Sequence, residues 1–476
     1  MKKSNRLLFT SISMLLGANA QAEQPTKEER PNVLLLMVDD LRPELGCYGK
    51  NKIISPNIDS LSELGCLFTR AYCNIPVSGA SRASLLTGAR PNRYRYLDYL
   101  AIAETENPTA TPMSQWFRNF GYTSISNGKV FHNINDWKSS WDEIWRHVPM
   151  YSHRDYLSPE NIAFCKRKQS GGAYESPEVS DNAYTDGITA DKCIADLDKL
   201  ANSGEPFFMA CGFLKPHLPF NAPKKYWDLY NRDDIELPEN YNLLNNSIPD
   251  IVFDAHYHSI ELRVHNGIPK KGLLPEDLAK TLIHGYRACV TYTDAQIGRV
   301  LDALHETGLD KNTIIVLISD HGWNLGEHGI WCKQSNFHTS MLSPMIIVDP
   351  RRSATQKTSD NIVEFIDIYP TLCDMMGIET PSHADGESLV PLLNGKKRKK
   401  NYAVSKFENG TTVIVDNYFY TEWRNKETGE FMGEMLYDHS TDMDENHNLA
   451  IDPTYKKLRK KMRKHLVEKR GFDYNE

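Results

Sequence analysis

Residues 32–40 read NVLLLMVDD, six consecutive apolar residues after Asn32 that stop on two adjacent carboxylates, Asp39 and Asp40. The run does not alternate polar with apolar, so it predicts a strand covered on both faces, the kind that parallel sheets contain. The stretch TIIVLIS at 313–319 has the same character and ends on Asp320 and His321, while PFFMACGFL at 206–214 and PMIIVD at 344–349 supply two more such strands. Between them lie helical patterns. The best covers 275–307, where Leu282, Tyr286, Cys289, Thr293, Ile297, Val300 and Leu304 recur at three- and four-residue steps and Gly308 supplies a stop. Strand, helix, strand order predicts a large α/β unit with a mainly parallel sheet flanked by helices. In such sheets the ligand crevice lies at the carboxyl ends of the strands, so the two strand-end acid clusters fall where their mutual repulsion calls for a cation. Three carboxylates select a hard ion, Ca²⁺ ahead of Mg²⁺, with the histidine a departure from an all-oxygen shell.

The chain has 476 residues, too many for one small module, and its 25% charged and 40% hydrophobic composition is that of an ordinary globular protein. Its formal charge of −7 excludes the global basic excess of a nucleic-acid binder, so an anionic ligand has to meet a local basic pocket. Residues 1–22 place Lys2, Lys3 and Arg6 before a short apolar run and end in small residues, which is the layout of a signal peptide. Cleavage is expected after Ala22, with Ala20 as the alternative, and losing the three cations would take the charge from −7 to −10. No other segment is long and apolar enough for a membrane span, so an exported protein is expected. Nine cysteines with no CxxC pair argue against a zinc knuckle. Cys211 lies in an apolar run and reads as a buried thiol, and few disulfides are expected.

The cationic run Lys396–Lys400 reads as a solvated linker after Gly395. Beyond it, YAVSKF, TTVIVDN, YFYTEWR and EMLYDH alternate as short strands and 454–469 reads as a basic helix. The expected division is therefore a signal peptide at 1–22, a catalytic unit at 23–395 and a smaller α+β subdomain with an antiparallel sheet at 396–476. Two polar stretches, 135–182 and 230–272, read as excursions that shape a binding site.

Residues 78–88, SGASRASLLTG, put a hydroxyl at Ser78 and a guanidinium at Arg82. If a helix starts at Ser78, the two share a face, at an end already favourable to anions. This stretch resembles the signature of the type I sulfatases, in which a Cys or Ser, followed by Pro or Ala two residues on and Arg four on, is oxidised to formylglycine. The resemblance extends through NVLLLMVDD, GKVFH at 128–132, KPHLPF at 215–220, SDHGWNLGEHGIWCK at 319–333, VEFIDIYPTLCDMMGI at 363–378 and LYDHSTDMDENHNLA at 436–450. Within the family, GKVFH, KPH-x-PF and EHG-x-W-x-K are most similar to the iduronate-2-sulfatase branch.

The resemblance implies an alkaline phosphatase-like sandwich and a sulfuric ester hydrolase. It implies one Ca²⁺ held by Asp39, Asp40, Asp320, His321 and the residue at position 78. Arg82 and His132 match groups that hold and deprotonate the formylglycine hydrate. Lys129, His217 and Lys333 match groups that grip the sulfate, and His217 is also a candidate proton donor to the leaving oxygen. Ser78 stands where most members have Cys, and Ala80 where many have Pro. The partners implied are a sulfated oligosaccharide and a formylglycine-generating maturation enzyme. The implied substrate is a terminal hexuronate 2-O-sulfate of heparin, heparan sulfate, or chondroitin or dermatan sulfate. Periplasmic residence follows from a bacterial reading, with secretion as the alternative. Arg90, Arg93 and Arg95 are candidates for the substrate carboxylate, outside the catalytic set. The competing expectations are a phosphomonoester or phosphonate hydrolase of the same superfamily, and a non-catalytic glycan binder should Ser78 stay unmodified.

Overall fold

The computed structural model describes residues 30–147, 154–167, 170–242, 248–252, 260–352 and 356–471. The expected signal peptide, 1–22, lies outside them. The eight strands of the central sheet are β1 (Asn32–Val38), β2 (Cys66–Phe68), β3 (Thr123–Gly128), β4 (Glu143–Trp145), β5 (Phe207–Phe213), β6 (Thr313–Ser319), β7 (Met345–Val348) and β8 (Thr358–Ser359). They stand in the order β8-β2-β7-β6-β1-β5-β3-β4. The sheet is parallel except at β7, which runs antiparallel to both β2 and β6. The four apolar runs read from sequence as strands are β1, β5, β6 and β7.

Each face of β1 feeds a different core. Val33, Leu35 and Met37 pack with α2 (Ser78–Thr87) and, further along the chain, Ile368–Met376. Leu34, Leu36 and Val38 pack in one core with α1 (Pro56–Leu64), α3 (Thr185–Ser203) and α4 (Glu276–Glu306), the last being the helix expected at 275–307. Cover on both faces is what makes these strands apolar throughout. Cys211 is buried as expected, and all nine cysteines are free.

The C-terminal region forms a separate antiparallel sheet of β9 (Tyr402–Phe407), β10 (Gly410–Val415), β11 (Tyr418–Arg424) and β12 (Phe431–Asp438), followed by α5 (Lys456–Lys469). Alternation along these strands sends Val404, Val413, Tyr420 and Leu436 toward α5, while Ala403, Ile414, Phe419 and Met435 join the core beneath the large sheet. The cationic run is not simply a solvated linker. Lys396, Lys397 and Lys399 are exposed, but Lys400 is buried with Nζ 2.6 Å from both Glu364 and Asp367, and Arg398 lies 2.8 Å from Asp367. Their acidic partners lie more than thirty residues upstream, so charge clustering in the sequence could not reveal them. Among the described residues, no helix is long and apolar enough to cross a membrane.

Candidate active site

The site grows from the shared carboxyl edge of four adjacent parallel strands. In register, Val38 of β1 stands beside Ser319 of β6 and Phe213 of β5, and Gly128 of β3 beside Gly212 of β5. The residues that follow these strands therefore meet at one edge. β1 delivers Asp39 and Asp40, and β6 delivers Asp320 and His321. The turn after β3 delivers Lys129 and His132, and the loop after β5 delivers His217. The strands approach so closely here that a Cβ on Gly128 would sit 2.1 Å from the Gly212 carbonyl oxygen, and one on Gly212 would sit 2.0 Å from that of Lys129. Glycine is required at both positions.

Helix α2 enters from the side with its first residue against the acids. Ser78 Oγ lies 3.0 Å from His321 Nε2 and 3.4 Å from Asp39 Oδ1. A Cβ at Gly79 would lie 2.3 Å from the Tyr99 carbonyl oxygen, so this helix start is pressed against the 99–100 loop. One turn on, Arg82 is fully buried and forks between two clusters: Nε donates to Asp320 Oδ2 at 3.0 Å and Nη2 to Asp39 Oδ1 at 3.2 Å. Its Nη1 donates to the carbonyls of Lys129 and Val130, which ties the β3 turn to the same helix. The four-residue step from Ser78 to Arg82 thus places both groups on one face, as the sequence predicts.

Asp39, Asp40, Asp320 and His321 are all fully buried, and one donor atom from each lies within 4.8 Å of the others. Burial pushes the Asp39 carboxyl up, but the Lys129 ammonium and then Arg82 overcome it and hold Asp39 well below the usual carboxylate range. Asp40 is the reverse case. Burial, reinforced by Asp39, Glu261 and Asp320, drives it well above that range despite Lys333.

Two observations fit a cation to this cluster. His321 Nδ1 donates to the Gly322 carbonyl at 2.9 Å, so the neutral ring turns the Nε2 lone pair toward Asp40 Oδ1 at 3.6 Å and Asp320 Oδ2 at 3.5 Å. The Ser78 hydroxyl, 3.0 Å from that Nε2, can donate to only one of these acceptors, and the lone pairs that remain repel one another unless positive charge stands among them. Asp40 Oδ1 is also buried without a hydrogen bond, the Lys333 ammonium 3.1 Å away making only an ion pair with it. The donor set of carboxylates with one imidazole suits a hard divalent ion.

The basic groups surround this cluster. Lys129 Nζ pairs with Asp39. Lys333, 4% exposed, pairs with Asp40 and lies 2.8 Å from Glu261, and these acids raise its pKa against the effect of burial. His217 Nδ1 donates to the Leu218 carbonyl at 2.7 Å and Nε2 faces Glu261 at 2.9 Å. Burial and then Lys333 lower the His217 pKa, with Glu261 pulling the other way. Burial and then Lys129 hold His132 down to about 2, and its Nδ1 is buried without a partner. All ten residues predicted as catalytic or metal-binding are gathered in this region.

Arg90 is not available to a substrate carboxylate. It makes a bidentate pair with buried Glu364, Nη2 lying 2.6 Å from Oε2. Arg93 donates to the Lys426 carbonyl and Arg95 to the Arg90 carbonyl. Two site residues escaped sequence reasoning. Glu261 sits in the 230–272 stretch with no motif around it, yet bridges His217 and Lys333. Arg146, just after β4, donates to the carbonyls of Gly128, Phe131 and His132 and so clamps the turn that carries Lys129 and His132. Burial, then Arg82, lower its pKa to about 10. No spacing signal marks either residue.

The sulfatase family profile matches residues 31–378, and a second profile, N-sulphoglucosamine sulphohydrolase C-terminal, matches 326–471. The chain belongs to the sulfatase family and has its alkaline phosphatase-like fold. It is 33% identical to iduronate 2-sulfatase of Homo sapiens over 416 residues, covering 79% of this chain and 74% of that protein. It is 28% identical to delta 4,5-hexuronate-2-O-sulfatase of Bacteroides thetaiotaomicron, covering 93% and 88%. Among solved structures, phosphonate monoester hydrolase of Silicibacter pomeroyi superimposes with a TM-score of 0.77 at 21% identity, covering 93% of this chain and 95% of that one. At that identity the likeness speaks for the fold alone. The protein is accordingly a sulfuric ester hydrolase acting on a sulfated substrate.

Proposed function

We propose that this enzyme removes the 2-O-sulfate from the terminal hexuronate, saturated or unsaturated, of heparin, heparan sulfate or chondroitin or dermatan sulfate oligosaccharides. The observation that carries this reading is a hydroxyl at a helix start, 3.0 Å from His321, between a buried acid cluster and a ring of cations. The similarity to two relatives named for uronate 2-O-sulfates supplies the substrate class.

Asp39, Asp40, Asp320, His321 and residue 78 would hold one Ca²⁺, which supplies Lewis acidity toward the nucleophile and the sulfate oxygens. Residue 78, oxidised to formylglycine and hydrated, supplies one hydroxyl to attack sulfur and a second whose deprotonation releases sulfate and restores the aldehyde. Arg82 anchors the helix start and orients Asp39 and Asp320. His132, whose Nδ1 is buried without a hydrogen-bond partner, accepts the second hydroxyl's proton. Lys129 and Lys333 grip sulfate oxygens by exchanging part of their pairing with Asp39 and Asp40. His217 donates to the leaving sugar oxygen once the anionic ester beside it raises its proton affinity. Tyr99, 55% exposed and edge to face with His132 at a ring-centre separation of 6.4 Å, offers a face for the sugar. In this reading residues 23–395 are the catalytic unit and 396–476 its C-terminal subdomain. An enzyme of the formylglycine-generating class matures Ser78, and the protein works after export, in the periplasm or outside the cell.

Two measurements test this together. Peptide mass spectrometry should find residue 78 lighter than serine by two hydrogens. A panel of sulfated uronides should release free sulfate only where the 2-O-sulfate is terminal. Phosphate release without sulfate release, or cleavage confined to internal or 6-O-sulfated residues, would overturn the proposal.

A further inference from the structure

Away from the catalytic edge, a second cluster joins the two parts of the chain. His338 opens a short helix just after the Lys333 segment, while His439 and Glu445 follow β12 of the C-terminal sheet. Glu445 is 2% exposed; its Oε1 faces His439 Nε2 at 3.0 Å and its Oε2 accepts the His338 backbone N–H at 2.9 Å. The two imidazoles cross edge to face at 4.9 Å, and Phe419 stacks on His439 at 3.7 Å, which fixes that ring plane. His338 and Glu445 are joined directly through the His338 backbone N–H alone, and among the described residues the His338 ring nitrogens have no hydrogen-bond partner. That ring and Glu445 border a cavity of about 580 Å³.

One donor atom from each of the three residues lies within 4.8 Å of the other two. A tetrahedral ion with bonds of about 2.0–2.2 Å separates its ligand atoms by about 3.4 Å. The distances present, from 3.0 Å to no more than 4.8 Å, bracket that value, so small side-chain rotations suffice. The nearby Arg42 is engaged by Glu44 and Glu327, and Arg70 donates to the Asp416 carbonyl. Two imidazoles and one carboxylate favour a borderline ion over the hard ion suited to the catalytic acids.

We propose that His338, His439 and Glu445 form a second metal site, for Zn²⁺ or a similar transition ion, which fastens the C-terminal sheet to the segment carrying Lys333. The cavity side leaves room for water as a fourth ligand. This goes beyond the sulfatase reading and does not depend on it.

The test uses the full-length protein, stripped with EDTA and then saturated with Ca²⁺ to fill the catalytic cluster. Titration with Zn²⁺ should show one further ion per chain and raise the melting temperature by about 3 °C at 100-fold excess over Kd. Co²⁺ in its place should give the visible absorption of a tetrahedral site. His338→Ala and His439→Gln should each weaken binding about tenfold or more and abolish the Co²⁺ spectrum, while Asp40→Asn should retain both. Absence of a second ion in the Ca²⁺-saturated wild type, or unchanged binding in His338→Ala, would overturn the proposal. Should His439→Gln fail to fold, His338→Ala decides, because its ring carries no hydrogen bond for the fold to lose.

Discussion

Asp40→Asn should make the metal-free protein more stable while destroying its response to metal. The Asp39 and Asp320 donor oxygens lie within 4.8 Å of that of Asp40. At an effective dielectric of about 20, each costs the ionised Asp40 about 3.5 kcal/mol, and Lys333 at 3.1 Å returns about 5 kcal/mol, leaving about 2 kcal/mol of net repulsion before burial is counted. Asparagine removes that charge and keeps the shape. It also suits the backbone, because residue 40 has φ of 62°, a left-handed conformation that asparagine adopts more readily than most residues. In EDTA the variant should therefore melt about 2 °C above wild type. In Ca²⁺ at about 100 times the wild-type Kd, wild type should gain about 2.7 kcal/mol and overtake a variant that gains almost nothing. Differential scanning fluorimetry with and without Ca²⁺, beside sulfate release, measures both halves. A variant less stable than wild type in EDTA, or stabilised equally by Ca²⁺, would refute the view that these acids are held together for a cation.

Arg82→Lys should lose about 3 kcal/mol in urea unfolding and nearly all activity, because an ammonium cannot span Asp39, Asp320 and two carbonyls at once. Lys400→Met should cost about 3 kcal/mol with the catalytic KM unchanged, by leaving Glu364 and Asp367 short of one buried cation. Asp294 caps the helix at Pro56–Leu64 through the Ile58 and Asn57 amides, and burial raises its pKa to about 6. From about pH 4 to pH 6 the folded chain holds a proton that the unfolded chain has released, so this group's contribution to stability falls as pH rises through that window, by up to about 3 kcal/mol. Asp294→Asn should flatten that part of the urea-stability profile, and an unchanged slope would exclude the assignment.

Sequence legibility followed local chemistry. The strands β1 and β6 announced themselves because burial on both faces permits almost nothing but apolar residues, and their terminal acids stood out against that background. Ser78 and Arg82 were readable because a helix converts a four-residue step into a shared face. What stayed hidden depends on contacts between distant segments. Arg90 looked available for a ligand, but its partner is Glu364 across the core. Lys400 looked solvated for the same reason. Arg146 donates to carbonyl groups, which every residue possesses, so no side-chain pattern accompanies it. Glu261 lies in a polar stretch and acquires meaning only when the chain brings it between His217 and Lys333.

Arg90, three residues past α2, shares Glu364 with Lys400, and β9 begins two residues after Lys400. The helix that presents residue 78 is thus braced by a cluster whose last member is synthesised more than three hundred residues after it. A ribosome that stops after codon 333 but before codon 400 releases a chain that holds every site residue but whose nucleophile-bearing helix lacks its buttress. Truncations in that interval should therefore be as damaging as lesions in the signature itself.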